Sequence, residues 1–169
     1  LAVLAAHRWA LARTKTHADS ASEKFSPRDV LAVMRSPEVL AAAALIFFQA
    51  IGFIGYTTWG PTYLQLERMV NQGFAGMSIT LFFIGNIVGK LMLQFFARRF
   101  STRTMLTASP LVMGLAIALG VLLGSPIAFV LLSAVAGMAM AMNVPFSIEL
   151  ATRGRPDKSG AISSFLFIM

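Results

Sequence analysis

The sequence has 169 residues, of which 57% are hydrophobic and 12% are charged, whereas a soluble domain usually carries about a quarter charged residues. This composition, with a mean hydropathy of +0.74, argues against a water-soluble enzyme and favours a membrane protein. The sequence contains no cysteine, which excludes disulfides, thiolate metal sites and a cysteine nucleophile. Its formal charge of +7 needs an explanation of its own.

The first 36 residues are predicted to form the end of an apolar helix (residues 1–6) followed by a polar connector. Ser26 and Pro27 have the pattern of a helix start and predict a short helix that ends near Arg35. His7 and His17 lie in this connector. Because no second cluster of ligating residues accompanies them, we interpret both as solvated loop residues and predict no metal and no cofactor.

Long stretches without charge follow the connector. Residues 39–66 are 28 residues without a charge, residues 69–97 contain only Lys90, and residues 104–148 are 45 uncharged residues. A helix needs about 20 residues to cross a hydrocarbon core of about 30 Å, so the third stretch fits two crossings with a turn at Gly124-Ser125-Pro126. The runs are unbroken, which favours helices over strands. Four spans are predicted, at about 38–64, 73–97, 103–123 and 126–148.

Both ends of the sequence predict a fragment of a longer chain. The sequence opens on Leu1 within an apolar run, and a new apolar run from about residue 160 stops after nine residues, 161–169. Nine residues are too few to cross a bilayer. We therefore interpret residues 1–36 as the end of a preceding span plus a connector, and residues 37–169 as a transmembrane bundle with a partial last span.

The basic residues are distributed unevenly between the connections. Alternate connections carry 12 of the 14 lysines and arginines, and Arg68 and Lys90 are the remaining two. By the positive-inside rule this pattern places residues 1–36, 98–103 and 149–159 in the cytoplasm. It predicts a multi-pass protein of the plasma membrane, with residues 65–72 and 124–126 facing outward. Nucleic acid is not an expected partner, because the basic residues flank the spans. The expected partner of these residues is the anionic surface of the lipid bilayer.

Polar side chains inside the spans are candidates for substrate binding, because polar groups at membrane depth are costly and usually face a cavity or another helix. Gln49 and Tyr56 stand seven residues apart on one face of the first span, and Asn86 and Lys90 are one turn apart in the second. Asn143 is the candidate in the fourth span. For Gln49 and Tyr56, hydrogen bonding between helices is the alternative interpretation.

Lys90 is the only charged residue well inside a predicted span. Its side chain either extends toward the membrane surface or faces a central cavity, where it would meet an anionic substrate or a buried carboxylate. Beside it, Gly85 and Gly89 form a small-residue motif that permits close helix approach.

The connection after the second predicted span carries a family resemblance. Phe96-Ala97-Arg98-Arg99-Phe100-Ser101-Thr102-Arg103-Thr104-Met105-Leu106 resembles the loop signature of the major facilitator superfamily, at the cytoplasmic turn between the second and third helices of each half. Arg98 replaces the usual Asp, and Ser101 replaces the usual Gly. The resemblance implies that Arg98, Arg99 and Arg103 belong to a conformational loop motif whose charge network is altered here. Such a copy resembles the second-half signature more than the first.

Further motifs occur in the order that the superfamily has. Trp59-Gly60-Pro61-Thr62-Tyr63-Leu64 is similar to the outer end of the first helix of a half, and Pro145-Phe146-Ser147-Ile148-Glu149-Leu150-Ala151 is similar to the exit from the fourth helix. The resemblance covers nearly the whole sequence. It implies an all-α integral membrane fold, an incomplete C-terminal six-helix bundle that runs from the end of the sixth helix to the start of the eleventh.

The function implied by this resemblance is secondary transport of a small solute by alternating access. Asn86-Ile87-Val88-Gly89-Lys90 is similar to the place where monocarboxylate and oxalate porters carry a cationic residue that meets the substrate carboxylate, which favours an organic anion. Drug or multidrug efflux within the same superfamily, and a non-transporting multi-span protein, remain alternatives. An enzyme is not expected. The expected partners are a small-molecule substrate, the bilayer and an N-terminal half of the same chain.

Overall fold

The computed structural model describes residues 35–153 and 158–168, which form helices joined by short connections. The helices are α1 (Pro37–Glu67), α2 (Gln72–Leu91), α3 (Leu93–Arg99), α4 (Thr102–Leu122), α5 (Pro126–Thr152) and α6 (Ser159–Ile168). Four of them, α1, α2, α4 and α5, are long and apolar enough to cross a membrane. The predicted all-α membrane fold is thus confirmed. The short helix predicted before Arg35, and both histidines, lie outside the described residues.

Each long helix begins with local chemistry that the sequence carries. Pro37 and Pro126 occupy first-turn positions of α1 and α5, where a missing backbone N–H costs nothing. The side chain of Asn71 accepts from the backbone N–H of Phe74 at 2.8 Å at the start of α2. The hydroxyl of Ser101 accepts from the backbone N–H of Thr104 at 3.2 Å at the start of α4.

The segment predicted as one helix over 73–97 is divided at Met92. The ψ angle of Met92 is −1°, far from the α-helical value of about −42°. The backbone N–H of Met92 still bonds the Val88 carbonyl at 3.0 Å, and the Met92 carbonyl accepts from Phe96 at 3.1 Å. The helical path therefore continues past the break. The 20 residues of α2 span about 30 Å, which is one hydrocarbon thickness.

Helix α5 lies at the centre of the bundle and packs against α1, α2, α4 and α6. Its buried residues are mostly small, including Ala136, Gly137 and Ala139. Short side chains allow neighbouring backbones to approach closely, which is how helices associate in lipid. This composition makes α5 the element against which the others are positioned.

The backbones of α2 and α5 are in direct contact. A Cβ atom added to Gly85 would overlap the Ala134 carbonyl, and one added to Gly137 would overlap the Phe82 carbonyl. At Gly89, an added Cβ would lie 2.6 Å from a carbonyl oxygen of α5. Glycine is therefore required at these positions by space. The close approach predicted from Gly85 and Gly89 is confirmed.

The bundle has two chemically different ends. At one end, which we call the basic end, Arg98, Arg99 and Arg103 are exposed, and Thr102 donates its hydroxyl to Glu149 Oε1 at 2.7 Å. That bond places the start of α4 beside the last turns of α5. The opposite end holds the α4–α5 turn, in which Gly124 has a φ of +69°, a conformation that glycine adopts without strain.

The outer surfaces of the long helices are apolar. Phe48, Ile87, Leu115 and Leu131, one on each of the four long helices, are all more than half exposed. Soluble monomers rarely expose contiguous apolar surface of this kind. The surface is suited to contact with lipid chains.

Candidate substrate-binding site

Tyr56 is buried where α1, α2 and α5 meet. Its hydroxyl donates to Ser133 Oγ of α5 at 2.5 Å, and Ser133 in turn donates to the Phe129 carbonyl at 2.7 Å. The Tyr56 ring is stacked on Phe82 of α2 with the ring centroids 4.8 Å apart. Since a phenol has one proton to donate, the structure places this side chain in hydrogen bonding between helices.

Gln49 and Asn86 meet the same face of α5 from two different helices. Gln49 Nε2 of α1 donates to the Met140 carbonyl at 3.4 Å, and Asn86 Nδ2 of α2 donates to the Gly137 carbonyl at 3.3 Å. The two acceptors are three residues apart, or about 4.5 Å along a helix axis. The structure therefore brings these two predicted residues together, and we call the pair the carboxamide pair.

The carboxamide of Gln49 is only half satisfied. Its Nε2 is bonded to α5, but its Oε1 is buried and has no hydrogen-bond partner among the residues that the structure describes. The opposite assignment of the amide would direct oxygen at oxygen, so the contact with the Met140 carbonyl fixes which atom is left over. A buried acceptor without a donor costs about 1–3 kcal/mol. The carboxamide pair thus contains a buried acceptor that no donor from the described residues fills.

Lys90 lies one helical turn beyond Asn86, toward the basic end, and its side chain is exposed. It is in the last turn of α2, which ends at Leu91, so it lies at the end of this helix and not well inside it, as the predicted span over 73–97 had implied. The neighbouring Gly89 is buried against α5, which fixes the backbone from which the lysine projects. No hydrogen bond or ion pair holds the ammonium within residues 35–153 and 158–168. No Asp or Glu occurs between Glu67 and Glu149 in the sequence. The cation is therefore available to a group from outside the described bundle.

Asn143 is placed apart from the carboxamide pair. It is buried between α5 and α4, where its Oδ1 accepts a hydrogen bond from the hydroxyl of Ser109. An apolar cavity of about 190 Å³ adjoins this contact, lined by Phe96, Met105, Ala108, Ser109, Val112, Met138, Ala139 and Met142. Spacing along α5 could not indicate that Asn143 faces α4, because the helix is surrounded on several sides.

The three arginines of the loop motif are exposed at the basic end, and Ser101, which stands where the signature usually has Gly, caps α4. The backbone of Ser101 is extended, with φ −73° and ψ 151°, so glycine is not needed there. Glu149 is bonded by Thr102 and not by an arginine of the motif. This Thr102–Glu149 contact is a feature that sequence reasoning missed.

A second contact missed from the sequence lies at the opposite end. Arg68 Nε donates to the Tyr63 hydroxyl at 2.9 Å, and Arg68 also donates to the Val121 carbonyl at 3.3 Å. Its guanidinium carbon lies 5.5 Å from the centre of the Tyr63 ring. A cation at the last carbonyls of a helix stabilises it. Arg68 therefore caps α4 from α1, a role that the lone position of this arginine in its connection could have suggested.

A second cavity, of about 380 Å³, opens between α1, α4 and α5 in the half of the bundle near Arg68. It is lined by Gly52, Gly55, Tyr56, Trp59, Gly60, Tyr63, Ile117, Val121 and Phe129. We call it the aromatic groove. Its walls are aromatic rings, glycine backbone and aliphatic carbon, so it is suited to an apolar occupant.

The fold and these contacts define a class: a multi-pass α-helical membrane protein in which several polar groups of the spans, such as Tyr56 and Asn143, lie between helices. The comparison with protein families specifies it further. The family model described as Major Facilitator Superfamily matches residues 1–169, and the chain belongs to that family, a family of secondary transporters. No curated protein matches the sequence, and no solved structure matches it.

Proposed function

We propose that the chain forms part of a secondary transporter that carries a small organic anion, with Lys90 as the cationic contact. The observation that carries the proposal is the exposed Lys90 ammonium, which no acidic group neutralises in the described part of the chain. Lys90 is in the last turn of α2, and a charged side chain within a membrane-spanning helix is retained where it meets a counter-charge. A carboxylate substrate supplies that counter-charge during transport.

The carboxamide pair of Gln49 and Asn86 completes the proposed site. Asn86 is one turn from Lys90, and the Oε1 atom of Gln49 has no donor within the described part of the chain. In this proposal Lys90 binds the substrate anion and the pair contacts its neutral polar groups. Tyr56 holds the three helices together beneath the site. Asn143 supports the site indirectly, by holding α4 against α5 through its hydrogen bond with Ser109.

Alternating access is the mechanism that we propose for the whole protein. Facilitators rock two bundles about a site near the middle of the membrane, and the chain supplies helices of one bundle, the second half of the protein. We further propose that it resides in the plasma membrane with residues 1–36, 98–103 and 149–159 in the cytoplasm. The distribution of the basic residues supports this orientation. The arginine loop motif then lies at the cytoplasmic surface.

Efflux of apolar compounds is the second candidate function. The aromatic groove supports it, because the walls near Trp59, Tyr63 and Phe129 are suited to flat hydrophobic molecules. This candidate requires no role for Lys90, so the two functions make different predictions for the same pair of variants.

The test is substrate flux in cells or proteoliposomes that contain the full-length protein. For an organic anion, Lys90→Gln is expected to lower uptake at limiting substrate by about tenfold or more, because one charge-assisted contact is worth about 1.5–3 kcal/mol. Lys90→Arg retains part of the flux, and Trp59→Ala, the control, leaves it near the wild-type level.

The reverse result identifies the second candidate. If Trp59→Ala abolishes export of hydrophobic dyes and Lys90→Gln changes no flux, the anion proposal is wrong. Flux of neither class by the correctly inserted protein would contradict both and favour a non-transporting membrane protein.

A further inference from the structure

A cleft at the basic end is not used by the proposed transport site. It is lined by Phe95, Arg98, Arg99 and Phe100 and has a volume of about 620 Å³. The Phe95 and Phe100 side chains are 56% and 43% exposed, and both arginines are exposed as well. Two cations and two aromatic rings therefore share one open surface, which we call the arginine cleft.

Within residues 35–153 and 158–168, no carboxylate neutralises the charges of the arginine cleft. The described residues contain three carboxylates, those of Glu38, Glu67 and Glu149, and Glu149 accepts its hydrogen bond from Thr102. No ion pair engages Arg98 or Arg99 within the described ranges. Two adjacent guanidinium groups without a counter-charge make a site for an anion. Guanidinium groups bind phosphate oxygens in a planar, often bidentate arrangement.

The position of the cleft along the helix indicates which anion. Helix α2 ends at Leu91 after 20 residues, which is about the thickness of the hydrocarbon core. Arg98 and Arg99 are seven and eight residues further, so they lie about 10–12 Å beyond that boundary along a helical path. If α2 crosses the hydrocarbon core over its whole length, this is the depth of lipid headgroups. Exposed aromatic rings are typical of the same layer.

The backbone around the cleft is held in a defined shape. The rings of Phe96 and Phe100 are stacked with centroids 6.2 Å apart, and the Phe100 N–H donates to the Phe96 carbonyl at 2.9 Å. Immediately after Phe100, Ser101 caps the start of α4. The cleft is thus formed by one short, ordered segment.

We propose that the arginine cleft binds the phosphate of an anionic phospholipid. Arg98 and Arg99 contact the phosphate oxygens, and the rings of Phe95 and Phe100 pack against the glycerol and the first acyl carbons. Free inorganic phosphate has the same oxygen atoms as the phosphate group of a lipid. The two apolar walls and the depth of the cleft favour the lipid. The proposal does not depend on the transported substrate.

The test uses the full-length protein in nanodiscs of phosphatidylcholine alone and of phosphatidylcholine with phosphatidylglycerol in a four-to-one ratio. The measurements are the apparent affinity for phosphatidylglycerol, by native mass spectrometry after mild detergent release, and the shift in melting temperature. Arg98→Gln with Arg99→Gln is expected to weaken retention by roughly tenfold or more. The matched control, Arg103→Gln with Arg153→Gln, removes the same charge from exposed residues outside the cleft and is expected to retain wild-type affinity.

Three results would overturn the proposal. Equal loss in the control double variant would mean that lipid is attracted by the general charge of the basic end and not by a site. Stabilisation by inorganic phosphate in phosphatidylcholine nanodiscs, equal to that by phosphatidylglycerol, would identify a free-phosphate site. If the double variant fails to insert, Phe95→Ala provides the same comparison: it is expected to weaken lipid retention, and unchanged retention contradicts the lipid assignment.

Discussion

At the scale of single residues, some polar groups of the spans bond neighbouring helices, and others remain available to bind a ligand. Tyr56 commits its proton to Ser133, whereas Lys90 has no partner within the described residues. Heptad spacing predicted that Gln49 and Tyr56 share a face, and the structure places both against α5. Spacing could not predict that Asn143 pairs with Ser109 of α4, because periodicity defines a direction and not the helix that lies there.

Removal of the Tyr56 hydroxyl tests its packing role. Tyr56→Phe retains the ring stacked on Phe82 but loses the bond to Ser133, so the protein is expected to lose about 0.6–1.5 kcal/mol of stability. Thermal unfolding in detergent measures the loss. The control Thr80→Val removes an exposed hydroxyl that bonds within its own helix and is expected to change stability little. An equal effect of the two changes would mean that the bond between helices contributes nothing.

At the scale of elements, the four long helices and the turn at Gly124 follow from hydropathy and from two strong breakers in sequence. The division at Met92 does not, because Met92 is neither glycine nor proline and the change is one of backbone angle alone. The sequence indicated the contact between α2 and α5 only through residues of α2. Gly85 and Gly89 form a recognisable motif, but their partner surface contains Gly137 and Ala134, whose roles become visible only in three dimensions.

Glycine-to-alanine substitutions at this contact are expected to lower stability, whereas the same substitutions at glycines that face open space are expected to raise it. Gly85→Ala or Gly137→Ala places a methyl group against the backbone of the other helix, which costs about 1–3 kcal/mol by overpacking. Gly76→Ala and Gly114→Ala meet open space and are expected to stabilise their helices by about 0.5–1 kcal/mol. Melting temperatures of the four variants give the comparison. A stabilised Gly85→Ala protein would contradict the close contact.

At the scale of the whole molecule, composition and charge distribution led to the class of protein, and the ordered motifs led to the family, which the family comparison confirms. The substrate is less accessible to the same reasoning. It depends on which polar atoms remain unpaired after the helices have packed, such as Gln49 Oε1. That inventory exists only once the neighbours of each helix are known.

The proposed orientation is tested by labelling single cysteines from one side of the membrane. Met69→Cys lies in the connection between α1 and α2, and Arg103→Cys lies at the basic end; both positions are exposed. A membrane-impermeant maleimide is expected to label Met69→Cys in intact cells and Arg103→Cys only after permeabilisation. The opposite pattern would invert the topology and remove the explanation of the positive charge.

The backbone contact between α2 and α5 has a consequence for measuring motion. Two helices that touch through glycine and carbonyl atoms, without long side chains between them, have little freedom to slide or separate. The distance between two spin labels at the exposed positions Ile87 and Val135 is then expected to stay constant and can serve as a reference distance inside the membrane. Distances from either label to labels on other helices can be compared with this reference distance. A change in the reference distance then indicates unfolding, and a change only in the other distances indicates a conformational change of the transport cycle.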